Sequence, residues 1–565
     1  MSISSKEREA SWVAAANSTP PGRRYAPAAP EEERGGEFCG RVAGGEKHPL
    51  CWRAAMRLPG RGLLGRARWT SRPPAGGQRG QATVSSDAAP KCRTLQDLPG
   101  PGLWSSLYWL LFRGYVLHMH ELQAIRKKKY GPMWKDTMDG TPFVSIACPE
   151  IVEKIMRLEG KYPMRCDMAI WREHRDLRGL AYGPLTEEGE RWYCLRQVLN
   201  RRMLKPSEAV LYASPLNEVV SDLIVHLQNE REKSPCGLVV QDITNHLYRF
   251  ALEGISYILF ETRIGCLQKQ IPANTQDFIN SVGLMFKNFV FVNILPKWTR
   301  GLLPFWNRYL ENWDIIFTFG RKLIDKRVEE ITAQLEEEPE GAYLTYLLSS
   351  GKLTIEEVSG SVAELLMAGV DTTSNTLSWS LYHLSKDMEI QDALFQEVAG
   401  VVPKDQIPKA EDLAKMPLLK AVIKETLRLY PVVPLNSRVA MEDVILEGYH
   451  FPKGTVFAFC HFALSREETN FLEPNKFVPQ RWFRKERAST HHPFSSIPFG
   501  YGVRGCVGHR IAELEMHLAL ARIIQKYEIR PDPQGGEVKP LARILLVPDR
   551  PINLQFLIRM LPDSS

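Results

Sequence analysis

Phe499-Gly-Tyr-Gly-Val-Arg-Gly-Cys-Val-Gly508 is a glycine-rich loop that leads into a helix predicted to start near His509. Glycines at positions 500, 502, 505 and 508 let the backbone approach a flat ligand closely, and N–H groups of the loop and helix start can hydrogen-bond a sulfur anion. A thiolate is what such a nest stabilises, which singles out Cys506. A cysteine ahead of a helix is, taken alone, more often a small core residue. The spacing of Phe499, Arg504 and the glycines around it reverses that reading.

Outward from the loop, the longest periodic stretch lies upstream. Thr354 and Glu357 form a T-x-x-E capping box ahead of a run from Val358 to about Leu384. A helix of about 30 residues would cross roughly 45 Å and must run through a core. Inside it, Ala368-Gly-Val-Asp-Thr-Thr373 combines a glycine that weakens the helix with polar side chains that need partners or a function, so Asp371 and Thr372 are candidates for chemistry. Most of the chain from Glu150 to Lys420 reads as long amphipathic helices, with strand-like stretches near Val144 to Ala147 and Asp443 to Phe459. The predicted fold is mainly α with a smaller β portion, a single large domain around a long central helix.

Two further helical pairs carry charge on one face. Glu425 and Arg428 stand at i, i+3, and Trp192 and Arg196 at i, i+4, where an indole N–H and a guanidinium could hold a carboxylate between them. On the helix of Glu425, Lys420 and Lys424 occupy a face about a quarter turn away, so one pair can look inward while the other looks toward a partner.

Composition bounds the rest. The 565 residues are 44% hydrophobic and 24% charged, enough for a large core, and 72 Lys plus Arg against 65 Asp plus Glu leave only +7, no argument for nucleic acid. Ten cysteines without a C-x-x-C pair indicate neither a disulfide framework nor a cysteine zinc site, and fit a reducing compartment. The best apolar stretch, Leu103 to Leu117, is too short to span a bilayer and is broken by Arg113. Between Met56 and Ser86 stand six arginines and neither acid nor lysine, the composition of a mitochondrial transit peptide. The organisation read from this is an atypical extension over 1–55, a transit-like segment over 56–94, and a catalytic domain over 95–565 that begins at a stiff Leu98-Pro-Gly-Pro-Gly102 hinge. From Phe286 to Phe305 apolar and aromatic residues alternate with cations, as in segments that dip into one leaflet.

The loop resembles the haem-binding signature of the cytochrome P-450 superfamily, F-x-x-G-x-R-x-C-x-G, at every fixed position. The resemblance implies haem b with Cys506 as the iron ligand, Arg504 on a propionate and Phe499 shielding the sulfur; thiolate ligation favours O–O cleavage. It further implies that Trp192, Arg196 and Arg438 hold the propionates, and that Glu425, Arg428 and Arg481 form a network supporting the loop. Asp371 and Thr372 match the family's acid-alcohol pair for proton delivery to the reacting oxygen.

Leu418-Leu-Lys-Ala-Val-Ile-Lys-Glu-Thr-Leu-Arg428 is similar to the mitochondrial branch. There, Lys420, Lys424 and Arg510 would dock a reduced two-iron, two-sulfur ferredoxin supplied by an NADPH-dependent reductase. His509 departs from the usual arginine. Leu366 to Leu377, Tyr130 to Trp134 and Leu295 to Arg300 resemble the sterol 26-hydroxylase family, implying oxidation of a terminal methyl on a sterol side chain by a protein in monotopic contact with the inner mitochondrial membrane on its matrix side. A mitochondrial vitamin D hydroxylase would share every motif. A haem-binding sensor or carrier that never activates oxygen is the alternative of another class, and Asp371, Thr372 and the lysine pair argue against it.

Overall fold

The computed structural model describes residues 93–559 apart from 139–140, 167, 334–342, 404–405 and 484–490. The expected extension over 1–55 and the transit-like residues 56–92 lie outside the described residues.

The capping box forms as read. Thr354 Oγ1 accepts from the Glu357 N–H at 3.2 Å, and the Glu357 carboxylate accepts from the Thr354 N–H at 2.9 Å. It opens the helix Ile355–Lys386, whose 32 residues span about 48 Å. Apolar and small side chains on nearly every face of this helix are buried, as a helix through the middle of a domain requires. Gly369 does not interrupt the helix, which is continuous through Ala368 to Thr373. Gly369 is there for proximity: a Cβ on it would stand 3.0 Å from Ile255 on the packed helix Ile243–Phe260. Several of the polar side chains satisfy themselves along the helix. Thr372, Thr376, Ser378 and Ser380 each donate to the carbonyl four residues back, at 2.7–2.9 Å.

Around this axis pack Phe305–Ala333, Pro417–Leu429 and His509–Lys526, which share one large apolar core. The β portion is separate. A four-stranded sheet runs Met133–Met138, Thr141–Ile146, Val456–Cys460, Leu435–Val439, with only its middle pair parallel, in the register Val144 to Phe457. Val144, Ile146, Phe457 and Phe459 bury a second, smaller core beneath it. The strand-like run from Asp443 resolves into a hairpin, Val444–Leu446 with Tyr449–Phe451, turned through Glu447 and Gly448 at positive φ, followed by Val456–Cys460.

Folded structure reaches two residues upstream of the expected domain start, because Arg93 and Thr94 pair in parallel with Tyr449 and His450. The Leu98 to Gly102 stretch is packed rather than a free hinge. Leu98 is buried in the smaller core, and the Lys135 N–H donates to the Pro99 carbonyl at 2.8 Å. Among the described residues no helix is long and apolar enough to cross a membrane.

Candidate active site

Cys506 stands in the loop just ahead of the helix His509–Lys526. Gly500 and Gly502, at φ 73° and 72°, make the reversals that fold the loop. The Cys506 N–H donates to the Phe499 carbonyl at 2.8 Å, and the Phe499 ring stacks on His509 with centroids 3.9 Å apart. The predicted nest is partly realised. Burial pushes the Cys506 thiol up, while the Gly508 N–H and the charges of Arg196 and Arg165 pull it down. Cys506 therefore combines strong desolvation with an open surface, since its side chain is accessible by area. Both hold together when the open side faces an interior space rather than bulk water.

Four arginines gather around this loop, Arg504 from the loop itself and Arg165, Arg196 and Arg438 from distant segments. Arg196, on the helix Gly189–Met203, donates to the Gly505 carbonyl at 2.8 Å, and Arg165 donates to the Arg504 carbonyl at 3.0 Å. The Arg504 guanidinium lies 4.3 Å over the Trp192 ring, pairs with Glu188 at 2.7 Å and donates to the Glu187 carbonyl at 2.6 Å. Arg438, on the sheet strand Leu435–Val439, pairs with Glu159. Mutual repulsion and burial show in the titration. Desolvation and then the charges of Arg438, Arg504 and Arg196 bring Arg165 down to about 9, and burial, against the attraction of Cys506, brings Arg196 to about 10. Both remain cationic at neutral pH.

Four guanidiniums against the two carboxylates Glu159 and Glu188 leave two positive charges in excess, the charge that two propionates would neutralise. Trp192 Nε1, Arg504 Nε and Arg165 Nε are buried donors without a partner among the described residues. A soft sulfur ligand beside surplus cations and unused donors fits a haem: Cys506 would hold the iron, with Trp192, Arg165, Arg196, Arg438 and Arg504 around the propionates. Sequence reasoning missed Arg165. It lies in Pro163-Met-Arg-Cys166, an irregular stretch with no periodicity to mark it.

The Glu425, Arg428 and Arg481 network forms. Glu425 accepts from both sides of the Arg428 guanidinium at 2.7 and 2.8 Å, from Arg481 Nε at 3.0 Å, from the Val478 N–H at 2.9 Å and from the Trp482 indole at 2.9 Å. Arg428 also donates to the carbonyls of Ser465, Pro474 and Lys476, at 2.8, 2.6 and 3.0 Å, so all five of its N–H groups are engaged. Burial alone would raise the Glu425 carboxyl, but the hydrogen bonds and charge of Arg428, then the charge of Arg481, hold it below the usual range.

About a quarter turn around that helix, Lys424 is exposed and Lys420 half-buried. Both act electrostatically on His517 of the helix His509–Lys526, where Arg510 is also exposed and near Glu513, so the three cations assigned to one docking face do share a region. Asp371 and Thr372 lie in the middle of the long helix Ile355–Lys386. Among the described residues neither hydrogen-bonds to the arginine cluster, and Thr372 makes the back-bond to the Ala368 carbonyl that a structural threonine would make. Burial raises the Asp371 carboxyl to about 7, with Arg543 pulling the other way, and its Oδ2 has no partner among the described residues.

Thiol, arginine cradle, Glu-Arg-Arg network and long helix together define a haem-thiolate oxygenase. The family model described as Cytochrome P450 matches residues 98–556, and the chain belongs to that family. It is 52% identical over 520 residues to human "Sterol 26-hydroxylase, mitochondrial", covering 90% of this chain and 98% of that protein, and 55% identical over 479 residues to the rat protein of the same name, covering 83% and 90%. Human "25-hydroxyvitamin D-1 alpha hydroxylase, mitochondrial" is more distant, at 43% over 477 residues, with 83% and 93% covered. The crystal structure of the cytochrome P450DA haem domain superposes with a TM-score of 0.68 at 22% identity, covering 82% of this chain and 98% of that one, which speaks for the fold.

Proposed function

We propose that this chain is a mitochondrial monooxygenase that hydroxylates the terminal methyl of a sterol side chain, drawing electrons from a two-iron, two-sulfur ferredoxin of the adrenodoxin type. The observation that carries the reading is identity above half to the sterol 26-hydroxylases across nearly their whole length, against 43% to the vitamin D hydroxylase. The haem, when bound, supplies dioxygen activation at a thiolate-ligated iron. The chain's own residues do the rest: the arginine cluster anchors and orients the group, and the Glu425 network fixes the loop that carries the ligand. Tertiary C–H bonds along a sterol tail are weaker than those of its methyl ends, so position must override bond strength and the pocket must keep the tertiary carbon out of reach. Cholesterol supplied to the enzyme with ferredoxin and reductase should yield mainly the terminal alcohol; mainly tertiary or ring hydroxylation by mass spectrometry would move the chain to another branch. In the same assay, replacing Lys420 and Lys424 by Gln should raise the KM for ferredoxin several-fold at low salt and less at high salt, because charges are screened over about 8 Å at physiological ionic strength.

Asp371 and Thr372 supply the protons in this reading. A hydroxyl has one donor and two acceptor sites, so Thr372 can keep its bond to Ala368 and still accept from a passing proton carrier. A carboxyl held near 7 both takes and gives a proton at working pH. Thr372→Ala should leave sterol binding intact while diverting electrons to peroxide. The protonated fraction of Asp371 falls as pH rises through about 7, so coupling of electrons to product should fall with it, and Asp371→Asn should remove that dependence. Unchanged coupling in Thr372→Ala, or a pH profile that survives in Asp371→Asn, would contradict the assignment.

The membrane-facing reading rests on Trp298 and Leu302, 73% and 75% exposed beside exposed Lys297, and on the exposed Leu103, Trp104, Leu111 and Phe112. Arg300, expected at the headgroups, is instead turned inward, paired with Glu173 at 2.5 Å and stacked 4.0 Å over Trp306. The contact proposed with the matrix face of the inner membrane is accordingly more apolar and less basic than the bare sequence implies.

A further inference from the structure

A second group of ligand-type side chains, sharing no residue with the site around Cys506, lies at the start of the helix Met119–Tyr130. His118, His120 and Glu121 each present one ligand atom, and these atoms lie within 4.8 Å of one another. His118 Nδ1 is 3.5 Å and His120 Nε2 3.9 Å from the same oxygen, Glu121 Oε1. The local backbone explains the meeting. His118 stands just ahead of the helix at φ −123°, ψ 27°, which lets its ring fold over the first turn to within 6.0 Å of the His120 ring.

His120 separates this group from an accidental cluster. Its side chain is fully buried, and among the described residues neither of its ring nitrogens has a hydrogen-bond partner; His118 Nδ1 has none either. Edge-on packing against Phe462, at 4.7 Å and 80°, accounts for the ring as an aromatic body but leaves both nitrogens unsatisfied. Buried polar atoms are almost always paired, and those that are not call for an unseen ion or water.

We propose that His118 Nδ1, His120 Nε2 and a Glu121 carboxylate oxygen bind one zinc ion, with water as the fourth ligand. Bonds of about 2.0–2.1 Å in a tetrahedron place ligand atoms about 3.3–3.5 Å apart, so the two separations to Glu121 need close by only a few tenths of an ångström. The partly exposed His118 ring is free to make the larger adjustment. Two imidazoles and one carboxylate suit zinc better than magnesium or calcium, which take oxygen ligands. The positive end of the helix and the Arg466 guanidinium, which faces His120 and packs over Phe462, oppose a cation, and the charge of Glu121 offsets them. The ion would tie the turn at Tyr115–Leu117 to the first turn of the helix behind it.

The test uses tag-free holoenzyme stripped with a chelator and titrated with zinc chloride by calorimetry, with metal analysis after dialysis. One equivalent of zinc per chain should bind, and cobalt in its place should give the visible bands of a four- or five-coordinate nitrogen and oxygen site. His118→Gln and Glu121→Gln alter partly exposed side chains, and the reduced, CO-bound spectrum reports whether each variant keeps its native haem site. Each should weaken zinc by about 10–100-fold and abolish the cobalt bands. Less than one equivalent in the unaltered protein, or a variant that binds zinc as tightly, overturns the site.

Discussion

Replacing Cys506 by serine is expected to remove monooxygenase activity to background and to shift the reduced, CO-bound Soret band away from the red-shifted position of thiolate ligation. The arginine cradle makes the outcome specific. Arg165, Arg196, Arg438 and Arg504 do not depend on the sulfur for their placement: they are held by the Gly505 and Arg504 carbonyls and by Glu159 and Glu188. The variant should therefore still take up haem through the propionates while losing the thiolate signature. Serine is no substitute, because an alcohol keeps its proton where a thiol beside a metal cation gives it up. A variant with a normal CO-bound spectrum would remove Cys506 as the ligand.

Arg428→Lys is expected to cost nearly as much as Arg428→Ala, although it keeps the charge. All five guanidinium N–H groups are engaged, two on Glu425 and three on carbonyls between 465 and 476, whereas an ammonium offers three donors without the planar fork. Breaking a buried pair of this kind typically destabilises by about 3–5 kcal/mol, a large part of a domain's stability. The expected result is little or no haem-loaded protein for Arg428→Ala and a clearly lowered unfolding midpoint for Arg428→Lys, read by thermal melts and the CO-bound spectrum. The sign with pH follows from Glu425. Its folded-state pKa lies below the ordinary value, so its contribution is present at neutral pH and is lost as pH falls through the lowered value. Acid should unfold the wild type steeply and the substituted proteins with a shallower dependence. A wild-type melting temperature in Arg428→Lys would show that the network does not stabilise the fold.

Much of this was legible before any coordinates, and the reasons are local. The capping box of Thr354 and Glu357, the glycine spacing around Cys506 and the i, i+3 pair of Glu425 and Arg428 are short-range devices whose geometry follows from helix and turn periodicity. What escaped was made by tertiary proximity. Glu188 meets Arg504 across 316 residues and Glu159 meets Arg438 across 279, so no window of sequence shows that the cradle carries its own carboxylates. Arg165 and the unsatisfied His120 were hidden for the same reason. The helix runs unbroken through Gly369 because helix propensity is a weak prior, and close packing against Ile255 is what the sequence did not show.

The packed N-terminal arm has a consequence for how the folded protein meets a protease. Arg93 and Thr94 are held by a strand, Leu98 is inserted in a core, and Pro99 is bonded to the sheet edge. A protease needs several residues of extended, unengaged backbone in its cleft, and from Arg93 onward the folded chain does not offer them. Limited proteolysis of the folded protein should therefore spare the bonds of this arm, whatever residues the protease prefers.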